Sequence, residues 1–292
     1  LKKSKPRGVI LFSRNIKYIA QSQKLTKAIK TIFKDKNYPI LVDQEGGRVN
    51  RLKKIFNFDT LTSEYFGNLY LKDKKKFSIY YKIFIEKTIF FLKSIGININ
   101  TVPVLDLRKK GASNIIGNRS FSDNHLVTSK IGDYCINLFQ DNNVGTVIKH
   151  IPGHGLAKVD SHKSTPLVKA NLNYLLKNDF AAFKNKKSFF AMTAHIIYQS
   201  IDKKNTATHS KKVMSIIRKK IKFNGIIISD DISMKGLKYS TKENTIRAFK
   251  SGCNLVLHCN GSINQMLTVA KNSPLVSDFI IKKTSQFYKI LS

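Results

Sequence analysis

At 292 residues, 42% hydrophobic and 24% charged, the chain has an ordinary globular composition, and a chain of this length buries roughly three quarters of the surface its unfolded form exposes. That excludes wholesale disorder, collagen-like repeats and dependence on a disulfide or metal staple, and without an apolar run near ~18 residues no membrane span is expected. The formal net charge of +34 admits a nucleic-acid binder or a solvated lysine-rich surface; the lysines are scattered and far outnumber arginine, the usual base-edge reader, so no specific nucleic-acid partner is expected.

The N-terminal Leu1-Lys2-Lys3-Ser4-Lys5 carries the charge of a signal peptide, but the apolar stretch after it, residues 8–12, is too short for its core. Three cysteines, Cys135, Cys253 and Cys259, show no metal or redox spacing and read as reduced thiols. Together these place the protein in the cytoplasm.

Short, β-branched apolar runs follow at residues 8–12 (GVILF), 39–43 (PILVD), 97–106 (with INTVPVLD), 145–150 (GTVIKH), 189–195 (FFAMTAH), 225–230 (GIIISD) and 254–259 (NLVLHC). They read as strands buried on both faces. Between them, Phe77, Tyr80, Tyr81, Phe84, Phe91 and Leu92 keep helical spacing, as do Leu126, Ile131, Cys135, Leu138 and Phe139. Looser matches fall around 175–183, 213–221 and 245–249. Alternating strands and helices predict a parallel sheet with crossover helices. No linker or repeat divides the chain, so one domain over 1–292 is expected.

Polar residues mark the C-terminal ends of these strands: Asp43, Glu45, Asp106, Asp230 and Asp231. In an open sheet they would line a crevice; in a (β/α)8 barrel they face one mouth. No glycine-rich nucleotide fingerprint follows the first strand, which favours a single (β/α)8 TIM-type barrel. Seven strands are legible rather than eight, so either a gap or a substitute strand is expected where an N-terminal strand would lie.

Three segments hold the candidate chemistry. Lys149-His150-Ile151-Pro152-Gly153-His154-Gly155, with Asp160-Ser161-His162 after it, gathers three histidines and an aspartate. A metal pair four apart needs a helix, which Pro152-Gly153 breaks; a catalytic loop is the better reading, with Asp160 near enough to orient His162. Asp230-Asp231 ends an apolar strand, where one side chain enters the mouth and the other turns away or caps a helix. Asp43-Gln44-Glu45-Gly46-Gly47-Arg48-Val49-Asn50-Arg51 and Gly117-Asn118-Arg119-Ser120-Phe121 suit loops that hydrogen-bond a polyol.

Taken together, LVDQEGGRVNRL, VPVLDL, IGNRSFS, KHIPGHG with DSH after it, MTAH and ISDDISM resemble glycoside hydrolase family 3, in the family's order and over nearly the whole chain. The similarity is greatest to the bacterial cytoplasmic β-N-acetylglucosaminidases of cell-wall recycling. The resemblance implies a retaining exo-glycosidase acting on N-acetylglucosamine-β-1,4-anhydro-muropeptides. Asp230 would be the nucleophile, His162 the general acid/base and Asp160 its orienting partner. Asp43, Arg51, Arg119, Lys149 and His150 would hold the sugar, without metal or organic cofactor. His195 lies at the mouth without an assigned role. Two departures, Thr208-His209-Ser210 for a TLS-like signal and Asp123-Asn124 for the usual DP, are expected to leave the chemistry untouched. A monomer is expected. The alternatives are a phosphorylase on the same barrel and a non-catalytic basic binding protein.

Overall fold

The computed structural model describes residues 4–161 and 164–291. The strands among these residues are β1 (Val9–Leu11), β2 (Ile40–Val42), β3 (Ile99–Asn100), β4 (Gly145–Ile151), β5 (Leu167–Val168), β6 (Phe190–Thr193), β7 (Ile197–Tyr198), β8 (Ile226–Asp231) and β9 (Leu255–Leu257). The helices are α1 (Ile19–Phe33), α2 (Ser63–Lys72), α3 (Lys74–Ser94), α4 (His125–Asp141), α5 (Leu172–Lys177), α6 (Lys211–Lys219), α7 (Thr241–Ser251), α8 (Ile263–Lys271) and α9 (Asp278–Lys289).

Seven strands form one all-parallel sheet in the order β1-β2-β3-β4-β6-β8-β9, and all seven apolar runs of the sequence contribute to it in turn. The sheet curls around a cluster drawn from its own inward faces: Ile10, Leu41, Ile99, Val147, Phe190, Met192, Ile226, Ile228 and Leu255. Ile280 and Phe287 of α9 join that cluster, and the Phe287 ring packs on Phe189 and Phe190 and against Gly145. Gly145 and Phe190 open β4 and β6 and Phe189 precedes β6, so α9 plugs the N-terminal end of the sheet. A second, two-stranded parallel sheet pairs β5 with β7.

Of the eight-stranded barrel expected from the sequence, the described residues show seven curled parallel strands, the number legible in the sequence. Among the described residues β1 pairs only with β2 and β9 only with β8. Across the seam between them Arg14 Nη2 donates to the Cys259 carbonyl at 2.6 Å. The run at 97–106 yields only the two-residue β3. Proline at 103 has no N–H for a ladder, and Val104 rejoins through a single bridge to Lys149.

The helices follow local chemistry. α3 buries Phe77, Tyr81, Phe84, Ile85, Thr88, Ile89 and Leu92 at three- and four-residue spacing, and the Asp73 side chain caps it by accepting the Lys76 N–H. α7 starts at the cap Ser240 with Glu243 three residues on and stops at Gly252, whose φ is 116°. Asn124 caps α4 by accepting the Leu126 N–H at 2.8 Å, so the Asp123-Asn124 departure serves a helix start. The loose helical pattern at 175–183 resolves into α5 and a short 3-10 turn, Ala181–Phe183.

Candidate active site

The C-terminal ends of the strands open on a cavity of about 350 Å³, at the lower end of the ~300–1,000 Å³ typical of small-molecule sites. Asp43, after β2, and Lys149 and His150, in β4, line it, as do Arg51 and Arg119 from the loops and Asp230 from β8. Every residue assigned to sugar binding therefore reaches one cavity. Met192, Met234, Leu257 and Ile115 give it an apolar wall.

Its polar wall is a buried charge network. Lys149, with a side chain 3% exposed, reaches Glu45 Oε1 at 2.6 Å and Asp43 Oδ1 at 3.1 Å and donates to Thr101 Oγ1 at 2.9 Å. Thr101 in turn donates to Asp43, and Arg51 Nη2 stands 3.6 Å from Asp43 Oδ2. Arg119 grips Glu45 with two bonds of 2.8 Å, from Nε and Nη2. Burial alone would raise the Asp43 carboxyl; Lys149, the Thr101 hydroxyl and Arg51 outweigh it and hold Asp43 below the usual range. The same contest, decided by Arg119 and Lys149, keeps Glu45 far below its ordinary value.

Glu45 was given no role by sequence reasoning, yet it joins Arg119 to Lys149. Its signal was the spacing of Asp43 and Glu45, two apart, which sends both to one side of an extended chain. The turn that follows needs its glycines: Gly46 and Gly47 have φ of 90° and 56°, and a Cβ on Gly46 would strike the Leu61 carbonyl. Arg48 then donates to the carbonyls of Asn114, Ile115 and Ile116. It ties down the loop that carries Arg119.

Asp106 is the second residue without a prior role. It is fully buried and accepts from His150 Nδ1 at 2.6 Å and from the His154 amide at 2.7 Å. That fixes the His150 ring and leaves Nε2 as its remaining polar atom. His150 and His154 stand with ring centroids 5.7 Å apart, each occupied differently: His154 Nε2 meets Ser161 Oγ at 3.4 Å.

Asp230 meets the cavity directly, and its Oδ1 accepts the Asp231 N–H at 2.7 Å. Burial pushes its carboxyl up, but His195, His150, that N–H and Lys149 together hold it below the usual value. No cation stands in ion-pair contact with it among the described residues. The Asp231 carboxylate is spoken for: it accepts from Ser233 N at 3.0 Å, Ser233 Oγ at 2.7 Å and Cys259 N at 3.1 Å. The helix cap considered at Asp231 is instead a turn cap, since the next helix begins at Thr241.

Asp160 is half-buried and lies close enough to Arg48 to act on its guanidinium. Its backbone carbonyl accepts the Ser164 N–H at 3.1 Å, and Thr165 Oγ1 ties the loop to the Gly236 carbonyl at 2.9 Å. His162 lies outside the described residues. In the Thr208-His209-Ser210 segment the residue that departs from a TLS-like signal, His209, meets the Asn244 carbonyl at 3.2 Å through Nε2, while Thr208 Oγ1 meets His195 Nδ1 at 2.7 Å and His195 Nε2 meets the Asp231 carbonyl at 3.0 Å.

With this geometry in place, the comparisons are direct. The sequence profile described as the glycosyl hydrolase family 3 N terminal domain matches residues 1–286. The chain belongs to glycosyl hydrolase family 3. It is a glycoside hydrolase by that membership. Family 3 relatives include a protein named beta-hexosaminidase from Glaesserella parasuis serovar 5, 31% identical over 277 residues, covering 91% of this chain and 78% of that one. Another of that name, from Nitrosomonas eutropha, is 33% identical over 274 residues, covering 89% and 76%. Among solved family 3 structures, NagZ from Neisseria gonorrhoeae in complex with N-trifluoroacetyl-D-glucosamine superposes with a TM-score of 0.84 at 27% identity, covering 96% of this chain and 82% of that one. A β-N-acetylglucosaminidase from Paenibacillus sp. str. FPU-7 gives 0.84 at 25% identity, and this chain spans 56% of it.

The buried histidines of this family 3 enzyme should make it lose stability in acid. Burial pushes His154 and His209 down to about 4 from 6.5. A histidine lowered in the folded state contributes stability that is whole above the unfolded value near 6.5 and is lost as pH falls toward 4. Asp179 opposes them: burial raises it to about 6 from 3.8, so its contribution is lost as pH rises through that window. Two imidazoles outweigh one carboxyl. Urea midpoints should fall from pH 7 to pH 4.5, less steeply in a His154→Gln, His209→Gln double variant and more steeply in Asp179→Asn. A slope unchanged in all three would contradict this.

Proposed function

We propose that this family 3 enzyme is a retaining exo-β-N-acetylglucosaminidase that releases non-reducing N-acetylglucosamine from β-1,4-linked anhydro-muropeptides through a covalent glycosyl-aspartate. The observation that carries the reading is Asp230, an ionised carboxylate opening on the cavity beside the Asp43–Lys149–Arg51 group. In the first step an Asp230 oxygen bonds to C1 as the bond from C1 to the leaving oxygen breaks, and His162, oriented by Asp160, protonates that oxygen. In the second step His162 takes a proton from water, whose oxygen replaces Asp230 at C1. Asp43, Arg51, Arg119, Lys149 and His150 hold the ring. The names of the relatives and the sugar bound in the Neisseria structure support this substrate class. The chemistry needs no metal or organic cofactor. The finer assignments go with it: one catalytic domain over 1–292, a barrel whose seam closes, a monomer and a cytoplasmic setting.

The phosphorylase reading loses ground to the cavity's own charge. Arg48, Arg51, Arg119 and Lys149 face an equal number of carboxylates, Asp43, Glu45, Asp230 and Asp231. Among the described residues, no surplus of positive charge awaits a phosphate dianion.

Two measurements test the proposal. Mass spectrometry after a slowed, fluorinated N-acetylglucosaminide should find the adduct on Asp230; an adduct elsewhere overturns the assignment. His162→Ala should lose roughly 10²–10⁴-fold in kcat/KM on a disaccharide, where the leaving alkoxide needs a proton. It should lose far less on a nitrophenyl glycoside, whose leaving group does not. Equal losses on both would remove His162 from the acid role.

A further inference from the structure

The mechanism above leaves His195 unused, although it is 1% exposed and sits behind the proposed nucleophile. Its ring ends a chain of contacts that starts outside the cavity. Thr193 Oγ1 meets Thr208 Oγ1 at 2.8 Å, Thr208 Oγ1 meets His195 Nδ1 at 2.7 Å, and His195 Nε2 meets the Asp231 carbonyl at 3.0 Å. A carbonyl only accepts, so Nε2 carries the proton and donates. In the neutral ring Nδ1 then accepts, and the Thr208 hydroxyl donates to it. The Asp231 carbonyl thereby selects the tautomer, and the Thr208 hydroxyl, able to donate or accept, holds Nδ1 and orients the ring.

Residue 231 is gripped from the other side as well. Its carboxylate takes the Cys259 N–H at 3.1 Å, and the next amide, Ile232 N, donates to the Leu257 carbonyl at 2.9 Å. Strand ends β6 and β9 thus hold Asp231 between them. What the clamp presents to the cavity is the Asp231 N–H, 2.7 Å from Asp230 Oδ1.

We propose that His195, held in its Nε2–H tautomer by the Asp231 carbonyl and oriented by Thr208, is the positioning residue that fixes the Asp230 carboxylate for attack, acting through the Asp231 backbone. This rests on the reading of Asp230 as nucleophile and adds a residue to it. With one Asp230 oxygen held by the N–H, the other is directed to C1. Among the described residues, the charged and titratable groups around Asp230 are Lys149 and His150 from β4, His195 after β6, Asp231 from β8 and Cys259 after β9. Of these, His195 is the one whose removal takes a side-chain donor from the Asp231 carbonyl, leaving it the Met234 N–H at 3.0 Å, and a favourable ring from beside the carboxylate.

The test uses the full chain, a nitrophenyl N-acetylglucosaminide and pH profiles of kcat/KM. Thr208→Val keeps the shape and deletes the hydroxyl; it should lower kcat about tenfold with KM nearly unchanged. It should also move the acid limb of the profile, which reports Asp230, to higher pH. Thr208→Ser should restore both. His195→Leu should lower kcat by up to about 10²-fold and move the limb further. Two results overturn the proposal: wild-type kcat in Thr208→Val and His195→Leu, or a loss of kcat that leaves the limb in place, as a purely structural role would. Asp230→Asn separates the two levels. If it retains activity, the nucleophile reading itself has failed; if it is inactive while the other variants behave as wild type, only the positioning role has.

Discussion

Asp230→Asn should lose on the order of 10⁴-fold or more in kcat/KM, about 5.5 kcal/mol of transition-state stabilisation, with KM and the folded state nearly unchanged. The substitution keeps size and shape. It keeps the oxygen that accepts the Asp231 N–H. It removes the negative charge that His195, His150 and Lys149 stabilise against burial, and a neutral amide forms no ester with C1. The loss falls on chemistry rather than binding because Asp43, Arg51 and Lys149 remain in place. Steady-state kinetics with a nitrophenyl N-acetylglucosaminide check it, alongside a thermal melt. Activity within tenfold of wild type would sink the nucleophile assignment.

Lys149→Met should destabilise the fold by about 3–5 kcal/mol, the usual consequence of removing one partner from a buried ion pair. The ammonium stands between Asp43 and Glu45, and Thr101 takes a further bond. Without it Arg119 still serves Glu45, but Asp43 keeps only the 3.6 Å contact to Arg51 and the Thr101 hydroxyl. Combining Lys149→Met with Glu45→Gln should be milder than the sum of the two, because the pair leaves together; urea denaturation of all four proteins gives the coupling directly. Both carboxylates are lowered in the folded state. Their contribution is therefore whole above the ordinary carboxylate range and fades as pH falls through and below it. The wild type should lose its advantage over Lys149→Met on acidification. Strict additivity, or a gap that widens in acid, would contradict the network.

The strands were legible because burial on both faces makes them nearly continuous apolar runs, and α3 and α4 because their aromatic and aliphatic residues keep helical spacing. α1 was hidden for a physical reason. Its buried face is Ser22, Thr26 and Ile29, and the two hydroxyls bond to backbone carbonyls, Ser22 to Tyr18 and Thr26 to Gln23 and Ile95. A helix that buries small polar residues this way shows little hydrophobic periodicity. The residues proposed to hold the sugar, which line one cavity, were reached through strand ends and through resemblance to the family. Glu45 and Asp106 were seen as strand-end acids but not given partners. Glu45 meets Arg119 across 74 residues and Asp106 meets His150 across 44, distances at which local pattern carries no signal.

The stopper that α9 places under the curled strands, with Phe287 seated on Phe189 and Phe190, turns the interior into a blind well. Whatever binds the cavity at the C-terminal strand ends must therefore enter and leave on that side of the sheet.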